Sequence, residues 1–372
     1  MATKKRRKRK LKIKRIITLF ITLFIITTTL LNLNNIKLLY LSKTTKYEID
    51  TIEVFLEKDI FETVKSQKYS KTLEKAIESN YYEDAYLNEY LDIKYYDKTN
   101  FIENINKLLK IGYNSERIND IYSILNDESI QILFDNDYIE DINNIIKLNY
   151  FEEQNLDRYI KYYNKSKLSS EDTVTYVNIG LDNKYYTNIK KIQEEDSLTA
   201  IVNKYHSLSS NYIPKNLENV KYGTGKLKDV AKDAFDKMCE AARKDKIYIQ
   251  GGSGYRSYEY QNTLYNNYVA RDGFNAAETY SARPGYSEHQ TGLAMDVKNE
   301  RGEFISESDK EYKWLINNSY KYGFILRYPK GKDKLTGYMY EEWHYRYLGI
   351  DVATKVYESG LTYDEFVARN LF

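Results

Sequence analysis

The stretch from Ser287 to Val297 reads Ser-Glu-His-Gln-Thr-Gly-Leu-Ala-Met-Asp-Val and gathers polar and ionisable groups around one glycine. Gly292 permits a tight turn, and the residues after it predict a strand over 293–297. Such a turn would bring His289 back beside Asp296, so that an imidazole and a carboxylate face one point. The stretch therefore predicts a strand that carries part of a polar site.

A second histidine motif lies further along the chain. Residues 341–347 read Glu-Glu-Trp-His-Tyr-Arg-Tyr, with an acid three positions before the histidine. His289, Asp296 and His344 are together the ligand types of a catalytic zinc, three protein ligands with an open fourth position. Glu341 would then act as the base that activates water. A histidine near an acid is also common on ordinary protein surfaces, so the spacing alone leaves both interpretations open.

A third polar segment contains an arginine. Residues 251–257 read Gly-Gly-Ser-Gly-Tyr-Arg-Ser, after a predicted strand over 247–249 and before a helix that Ser257 can cap. At such a strand–helix junction Arg256 can reach into a cleft, where it could polarise a carbonyl or hold a carboxylate. The alternative is a surface salt bridge.

These motifs occur in an order that resembles the VanY-type D-alanyl-D-alanine carboxypeptidase family, and the resemblance covers residues 202–372. The family pattern more often has proline where this chain has Glu342, and the three-residue spacing to His344 favours Glu341 as the base. The other segments that carry the resemblance are Gln261, Ala282–Gln290, Tyr322–Pro329 and Thr336–Tyr338.

The resemblance implies an α+β peptidase domain with a small antiparallel sheet flanked by helices. It implies one Zn²⁺ held by His289, Asp296 and His344. Glu341 would be the base and Arg256 the oxyanion stabiliser. The expected substrate-binding residues are Gln261, Ser287 and Trp343. With His289 committed to the metal, Ser287 lacks the base that a serine nucleophile needs.

The implied activity is removal of the carboxy-terminal D-alanine from peptidoglycan stem peptides. Three alternatives stay open at this stage. The first is an L,D-carboxypeptidase acting on tetrapeptides, and the second is an endopeptidase cutting within the stem. The third is a non-catalytic module that binds peptidoglycan.

The amino terminus predicts export. The first 15 residues hold ten basic side chains and no acid, and residues 16–36 carry no charge. Because about 20 helical residues cross a bilayer, we expect residues 16–36 to be an uncleaved transmembrane signal anchor, with residues 1–15 as its cytoplasmic flank. The alternatives are a cleaved signal peptide and a basic nucleic-acid tail. The predicted location is the cell membrane, with a single pass and an extracytoplasmic catalytic domain.

The remaining 357 residues hold 46 basic and 54 acidic side chains, a balance that argues against nucleic-acid binding. Residues 44–168 predict a mostly helical region with a weak, irregular repeat, for which we favour a small bundle over a binding array. Residues 169–201 predict a connector with a strand at 173–177. In the last domain we expect an amphipathic helix over 229–244, with Val230 and a buried Cys239 on its apolar stripe, and a surface position for His206.

Overall fold

The computed structural model describes residues 2–372, with side chains from Lys10 onward. The chain divides into two compact units, residues 1–146 and 147–372. The second unit begins well before 202, where the sequence analysis starts the catalytic domain. Each unit has its own architecture.

The first unit begins with a long apolar helix. Helix α1 spans Ala2–Leu31 and α2 spans Leu33–Thr44. The helical run breaks at Asn32, inside the predicted 16–36 span, and the segment long and apolar enough to cross a membrane is Lys10–Leu31. Thr18 and Thr22 donate hydrogen bonds to carbonyls of the preceding turn, which lowers the cost of threonine in an apolar setting.

The rest of the first unit is a series of short helices. The helices are α3 Ile49–Glu57, α4 Phe61–Val64, α5 Lys71–Glu78, α6 Leu87–Asp92, α7 Phe101–Ile111, α8 Ser115–Ile124, α9 Asp127–Phe134 and α10 Ile142–Ile146. Neighbouring helices pair as hairpins, α5 with α6 and α7 with α8. Alternate helices also pack together, α5 against α7 and α7 against α9, and likewise α6 against α8 and α8 against α10. Helices α6, α8 and α10 begin at residues 87, 115 and 142, so the pattern repeats after 28 residues and then after 27.

Polar side chains join one hairpin to the next. The Tyr113 hydroxyl accepts a hydrogen bond from the Ile139 amide at 3.4 Å, and the Asn119 side chain donates to the Asp92 carbonyl at 3.1 Å. Both bonds link positions about one repeat apart. The helices therefore stack one pair on the next and bury apolar side chains of their own.

The second unit combines helices with three small sheets. Its helices are α11 Leu156–Ser166, α12 Ser170–Ile179, α13 Asp229–Lys244, α14 Tyr258–Asp272, α15 Phe274–Tyr280, α16 Lys310–Asn318, α17 Asp333–Thr336, α18 Ile350–Ser359 and α19 Tyr363–Ala368. Its strands are β1 Lys190–Lys191, β2 His206–Ser207, β3 Leu217–Asn219, β4 Lys226–Lys228, β5 Gln250–Ser253, β6 Ala294–Lys298, β7 Phe324–Leu326 and β8 His344–Tyr347.

The main sheet has four strands in the order β5-β6-β8-β7, and all neighbours are antiparallel. Helix α13 lies against the sheet, with Phe235, Met238 and Cys239 in the same buried cluster as Met295 of β6. The predicted α+β class with a small antiparallel sheet is confirmed. Helix α13 has the predicted bounds and Cys239 is buried, but Val230 is exposed, which corrects its place on the apolar stripe.

The predicted strand at 173–177 is wrong, because those residues belong to α12. Ser169 caps this helix by accepting a hydrogen bond from the Asp172 amide, and Gly180 ends it in the left-handed region. These end signals outweigh the β-branched residues between them. Helix α12 contacts the carboxy terminus, where the Asn178 side chain donates to the Ala368 carbonyl at 3.1 Å.

Two smaller expectations also need correction. The strand predicted at 247–249 begins instead at Gln250, because the Ile247 amide still bonds the Ala242 carbonyl at the end of α13. His206 is half-buried in β2 rather than on the surface, and its Nδ1 lies 3.0 Å from Asn203 Oδ1.

Candidate active site

Two residues of the predicted metal site lie side by side on neighbouring strands of the main sheet. Asp296 of β6 and His344 of β8 are direct cross-strand partners. Residues opposite one another in an antiparallel pair project from the same face of the sheet. His289 lies on the 3-10 turn Glu288–Thr291, and Gly292 follows it with a φ of +68°, a left-handed conformation that suits glycine. The turn returns His289 to the face that carries the other two residues.

The three side chains form one buried cluster. Asp296 Oδ1 lies 3.3 Å from His289 Nε2 and 3.3 Å from His344 Nδ1. One donor atom from each residue lies within 4.8 Å of the others. His289 Nε2 and Asp296 Oδ1 are buried without a hydrogen-bond partner among the described residues. Because such orphaned atoms are costly, a cation bound between two nitrogens and a carboxylate oxygen would fit this cluster.

The second nitrogen of each histidine contacts the protein. His289 Nδ1 lies 2.7 Å from the Gly254 carbonyl oxygen, so it is the protonated nitrogen that donates. His344 Nε2 lies 3.2 Å from Glu288 Oε2, so its proton faces that carboxylate. These contacts leave His289 Nε2 and His344 Nδ1 free to point into the cluster, the arrangement by which proteins orient metal-binding imidazoles.

The charges of the cluster favour a cation. Burial and the nearby Arg256 guanidinium lower the pKa of His289 to about 4. Burial opposes ionisation of Asp296, but its contacts with His289 and His344 hold its pKa well below the usual range. Burial also disfavours a charged His344, yet its contacts with the carboxylates of Asp296 and Glu288 raise its pKa to about 9. A buried anion therefore lies beside two imidazoles, and positive charge is stabilised between them.

Glu341 stands beside this cluster at the wall of a cavity of about 390 Å³. Its Oε2 lies 3.5 Å from His344 Nδ1, and burial raises its pKa to about 7. Glu342, the other glutamate of the motif, is only half-buried and does not line this cavity. The geometry thus brings Glu341, and not Glu342, to the cluster of His289, Asp296 and His344.

Arg256 also lines the cavity and is held from three sides. Its Nη2 donates to Asp296 Oδ2 at 2.9 Å, and its Nη1 donates to Gln261 Oε1 at 3.0 Å. Its backbone amide donates to the His289 carbonyl at 3.2 Å. Gln261 is buried, and its Nε2 donates to the Ala282 carbonyl at 2.8 Å. Both ends of the Gln261 amide are therefore used within the protein, and Gln261 does not line the cavity.

The other two predicted substrate residues do line the cavity. Ser287 is buried at its wall, and the Trp343 ring lies 6.0 Å from the ring of Phe304. Glu288 was not predicted as a site residue, although it lies inside the quoted motif, because its partner His344 is 56 positions away along the chain. The wall residues Phe304, Tyr328, Tyr338 and Met339 were not predicted either.

Comparisons with known proteins match the part of the chain that carries this site. A family model described as VanY, D-alanyl-D-alanine carboxypeptidase, matches residues 224–350, which include all the predicted site residues. The Bacillus subtilis (strain 168) protein YodJ is 38% identical over 207 residues, which cover 51% of this chain and 76% of YodJ. The chain belongs to the VanY family. Another relative, the D-alanyl-D-alanine carboxypeptidase of Enterococcus faecalis, is 38% identical over 186 residues, or 47% of this chain and 67% of that protein.

A solved VanY structure is also similar. It is the vancomycin resistance D,D-pentapeptidase VanY from a VanB-type resistance cassette, crystallised in complex with Zn(II). It is 37% identical, with a TM-score of 0.42, and the match covers 46% of this chain and 99% of that one.

Proposed function

We propose that this protein is a membrane-anchored zinc D,D-carboxypeptidase that removes the terminal D-alanine from peptidoglycan stem peptides. The observation that carries the proposal is the buried cluster of His289, Asp296 and His344 at a cavity that Glu341 and Arg256 also line. A zinc peptidase needs three such ligands, a base and a cationic group at the scissile carbonyl. The cavity wall brings residues of these types together, which supports the proposal.

His289 Nε2, Asp296 Oδ1 and His344 Nδ1 would hold one zinc ion. When bound, zinc lowers the pKa of water and polarises a carbonyl oxygen. The two histidines keep their other nitrogens on Gly254 and Glu288, so the donor atoms stay oriented toward the cluster.

The protein's own groups would move the proton and hold the developing charge. Glu341 takes a proton from the attacking water and passes it to the nitrogen of the leaving D-alanine as the carbon–nitrogen bond breaks. Arg256, held by Asp296 and Gln261, faces the developing negative charge on the carbonyl oxygen. Gln261 would act through Arg256, whereas Ser287 and Trp343 would contact the substrate from the wall.

The choice of substrate follows the relatives. Two Enterococcus proteins that match this chain, from E. faecalis and E. faecium, are named D-alanyl-D-alanine carboxypeptidases. A pentapeptide stem ending in D-alanyl-D-alanine is therefore the proposed substrate. L,D-carboxypeptidase activity on tetrapeptides would use the same catalytic groups and differs in the residue before the scissile bond.

We propose that the apolar helix anchors the enzyme. Lys10–Leu31 can cross a membrane by length and composition, and the basic residues before it would hold the amino terminus in the cytoplasm. Residues 1–15 would be the cytoplasmic flank, residues 16–36 the anchor region, residues 44–168 an extracytoplasmic helical region, residues 169–201 a connector and residues 202–372 the catalytic domain.

The test is digestion of defined stem peptides by the purified full-length protein, with products identified by mass spectrometry. We expect D-alanine release from a pentapeptide, loss of release after chelation, and recovery when Zn²⁺ is added back. Release from the tetrapeptide but not the pentapeptide would instead assign L,D-carboxypeptidase activity. Activity that survives full chelation would overturn the zinc mechanism.

A further inference from the structure

Two arginines are fully buried next to the proposed metal site without lining its cavity. Arg327 follows β7 and Arg346 lies in β8. Both donate to the same oxygen, Glu288 Oε1, with Arg327 Nε at 2.8 Å and Arg346 Nη1 at 2.9 Å. Burying ions costs several kcal/mol each, and apolar residues of similar volume often stabilise a fold equally well. Stability alone therefore gives no reason for this pair of charges.

The other oxygen of Glu288 provides a reason. Glu288 Oε2 lies 3.2 Å from His344 Nε2, and His344 Nδ1 points to Asp296 Oδ1 at 3.3 Å. A carboxylate on one imidazole nitrogen fixes which nitrogen carries the proton and which can bind a metal. The arginines thus hold the carboxylate that sets the orientation of His344.

The far sides of both arginines are bound by segments outside residues 224–350, the range of the VanY match. Arg327 Nη1 donates to Asp364 Oδ2 at 2.6 Å, at the start of α19, and Asp364 Oδ1 accepts from Asn203 Nδ2 at 2.8 Å. Arg346 Nη2 donates to the carbonyls of Leu198 and Ala200 at 3.0 and 2.8 Å. Two carboxylates therefore balance two guanidinium groups, and the flanking segments complete the set.

We propose that Asp364 is a positioning residue of the metal centre, acting through Arg327 and Glu288 on His344, and that the 198–203 segment does the same through Arg346. The inference rests on the proposed function, in which His344 binds zinc. It adds two segments outside residues 224–350 to the groups that position the metal centre, because removing either anchor leaves a buried guanidinium to draw Glu288 away from the imidazole.

The experiment compares the full-length wild type with Asp364→Asn, Glu288→Gln and a matched control, Glu365→Gln. Glu365 is buried one position from Asp364 and caps α19 by accepting from the Thr362 amide and hydroxyl, but it does not contact the arginines. Zinc affinity is measured by competition with a chelator. Ligand geometry is measured by the visible absorption of the Co(II)-substituted protein, and folding by thermal unfolding.

We expect Glu288→Gln to weaken zinc binding by about 10- to 100-fold and to shift the Co(II) bands. Asp364→Asn should change both in the same direction, by up to about 10-fold in affinity, since it acts at one remove. Glu365→Gln should change neither. If Glu288→Gln does not fold, Asp364→Asn carries the test, because it keeps the shape of the side chain while it removes the charge and one of the two acceptor oxygens.

Three results would overturn the inference. Wild-type zinc affinity and Co(II) bands in a folded Asp364→Asn variant would reduce the network to a structural role. An equal loss in Glu365→Gln would assign the effect to α19 as a whole. A wild-type chain that binds neither zinc nor cobalt would instead refute the proposed function, and the inference with it.

Discussion

The two units of this protein bury different kinds of side chain. Among the described residues of the first unit, 10–146, the core is made of Ile, Leu, Phe and Tyr with Val64 and Ala76, and Glu74 is the charged side chain that is buried. The second unit, 147–372, has an apolar core behind its sheet and also buries Glu288, Arg327, Arg346 and Asp364.

This difference separates two ways of specifying a fold. Apolar burial has no direction and scales with area, so periodic Ile, Leu and Tyr residues suffice to stack hairpins. Buried charges are tolerated only with specific partners in a fixed geometry, and they are strongly destabilising when one partner is removed. Substitutions in the first unit should therefore act locally, whereas those in the second should reach the site.

The largest expected effect is catalytic. Glu341→Gln removes the proposed base but keeps shape, so we expect kcat for D-alanine release to fall by about 10³-fold. The comparison variant is Ile105→Ala, which changes a buried side chain of α7 in the first unit and should leave kcat unchanged. Release is followed by mass spectrometry, with zinc content as a control. Glu341→Gln activity within a few-fold of wild type would remove Glu341 from the mechanism.

The second largest expected effect comes from breaking the buried charge network of Glu288, Arg327, Arg346 and Asp364. Arg327→Met leaves Glu288 and Asp364 buried without their shared partner, so we expect the second unit to lose about 3–5 kcal/mol of unfolding free energy. The chain's two tryptophans, Trp314 and Trp343, both lie in that unit, so their fluorescence in urea reports it alone. An unchanged fluorescence transition would mean that the network is dispensable for stability.

Ile105→Ala tests the first unit. The side chain is fully buried, so we expect a loss of about 2–4 kcal/mol from the hairpin array. Far-UV circular dichroism detects helices in both units, whereas tryptophan fluorescence detects only the second. The part of the dichroism transition that comes from the first unit should move to lower urea concentration. The fluorescence transition of the second unit should stay at the same urea concentration. A shift of both together would show that the two units unfold as one.

The smallest effect concerns the single cysteine. Burial raises the pKa of Cys239 to about 12, so at pH 8 the thiol should react with iodoacetamide at least about 100-fold more slowly than in the unfolded chain. Labelling in increasing urea should follow the tryptophan transition, because Cys239 lies in the apolar core of the second unit. Rapid labelling of the folded protein would contradict that position.

Sequence patterns predicted the parts of the fold that depend on neighbours in the chain. The bounds of α13, the turn at Gly292, the strand after it and the Ser257 cap of α14 each follow from residues a few positions apart. The strand proposed at 173–177 failed because β-branched residues were weighted above the end signals at Ser169 and Gly180.

The candidate site was predictable as a set of residues but not as a network. The motifs named His289, Asp296 and His344, and the structure brings them together; their role as zinc ligands stays a prediction. The bonds from Glu288 to Arg327 and Arg346 span 39 and 58 positions, and no local spacing encodes them. The hydrogen bond from Asn203 to Asp364 spans 161 positions and could not be predicted from the sequence for the same reason.

The direct pairing of Asp296 with His344 also decides where this chain can change length. Side chains alternate between the faces of a strand, so inserting or deleting one residue within β6 or β8 would turn one of the two to the opposite face of the sheet. The loop around Gly302 is exposed, with open space around that glycine, and can grow without disturbing the pairing. Natural variants and engineered insertions should accordingly collect in that loop, while the two strands keep a constant length.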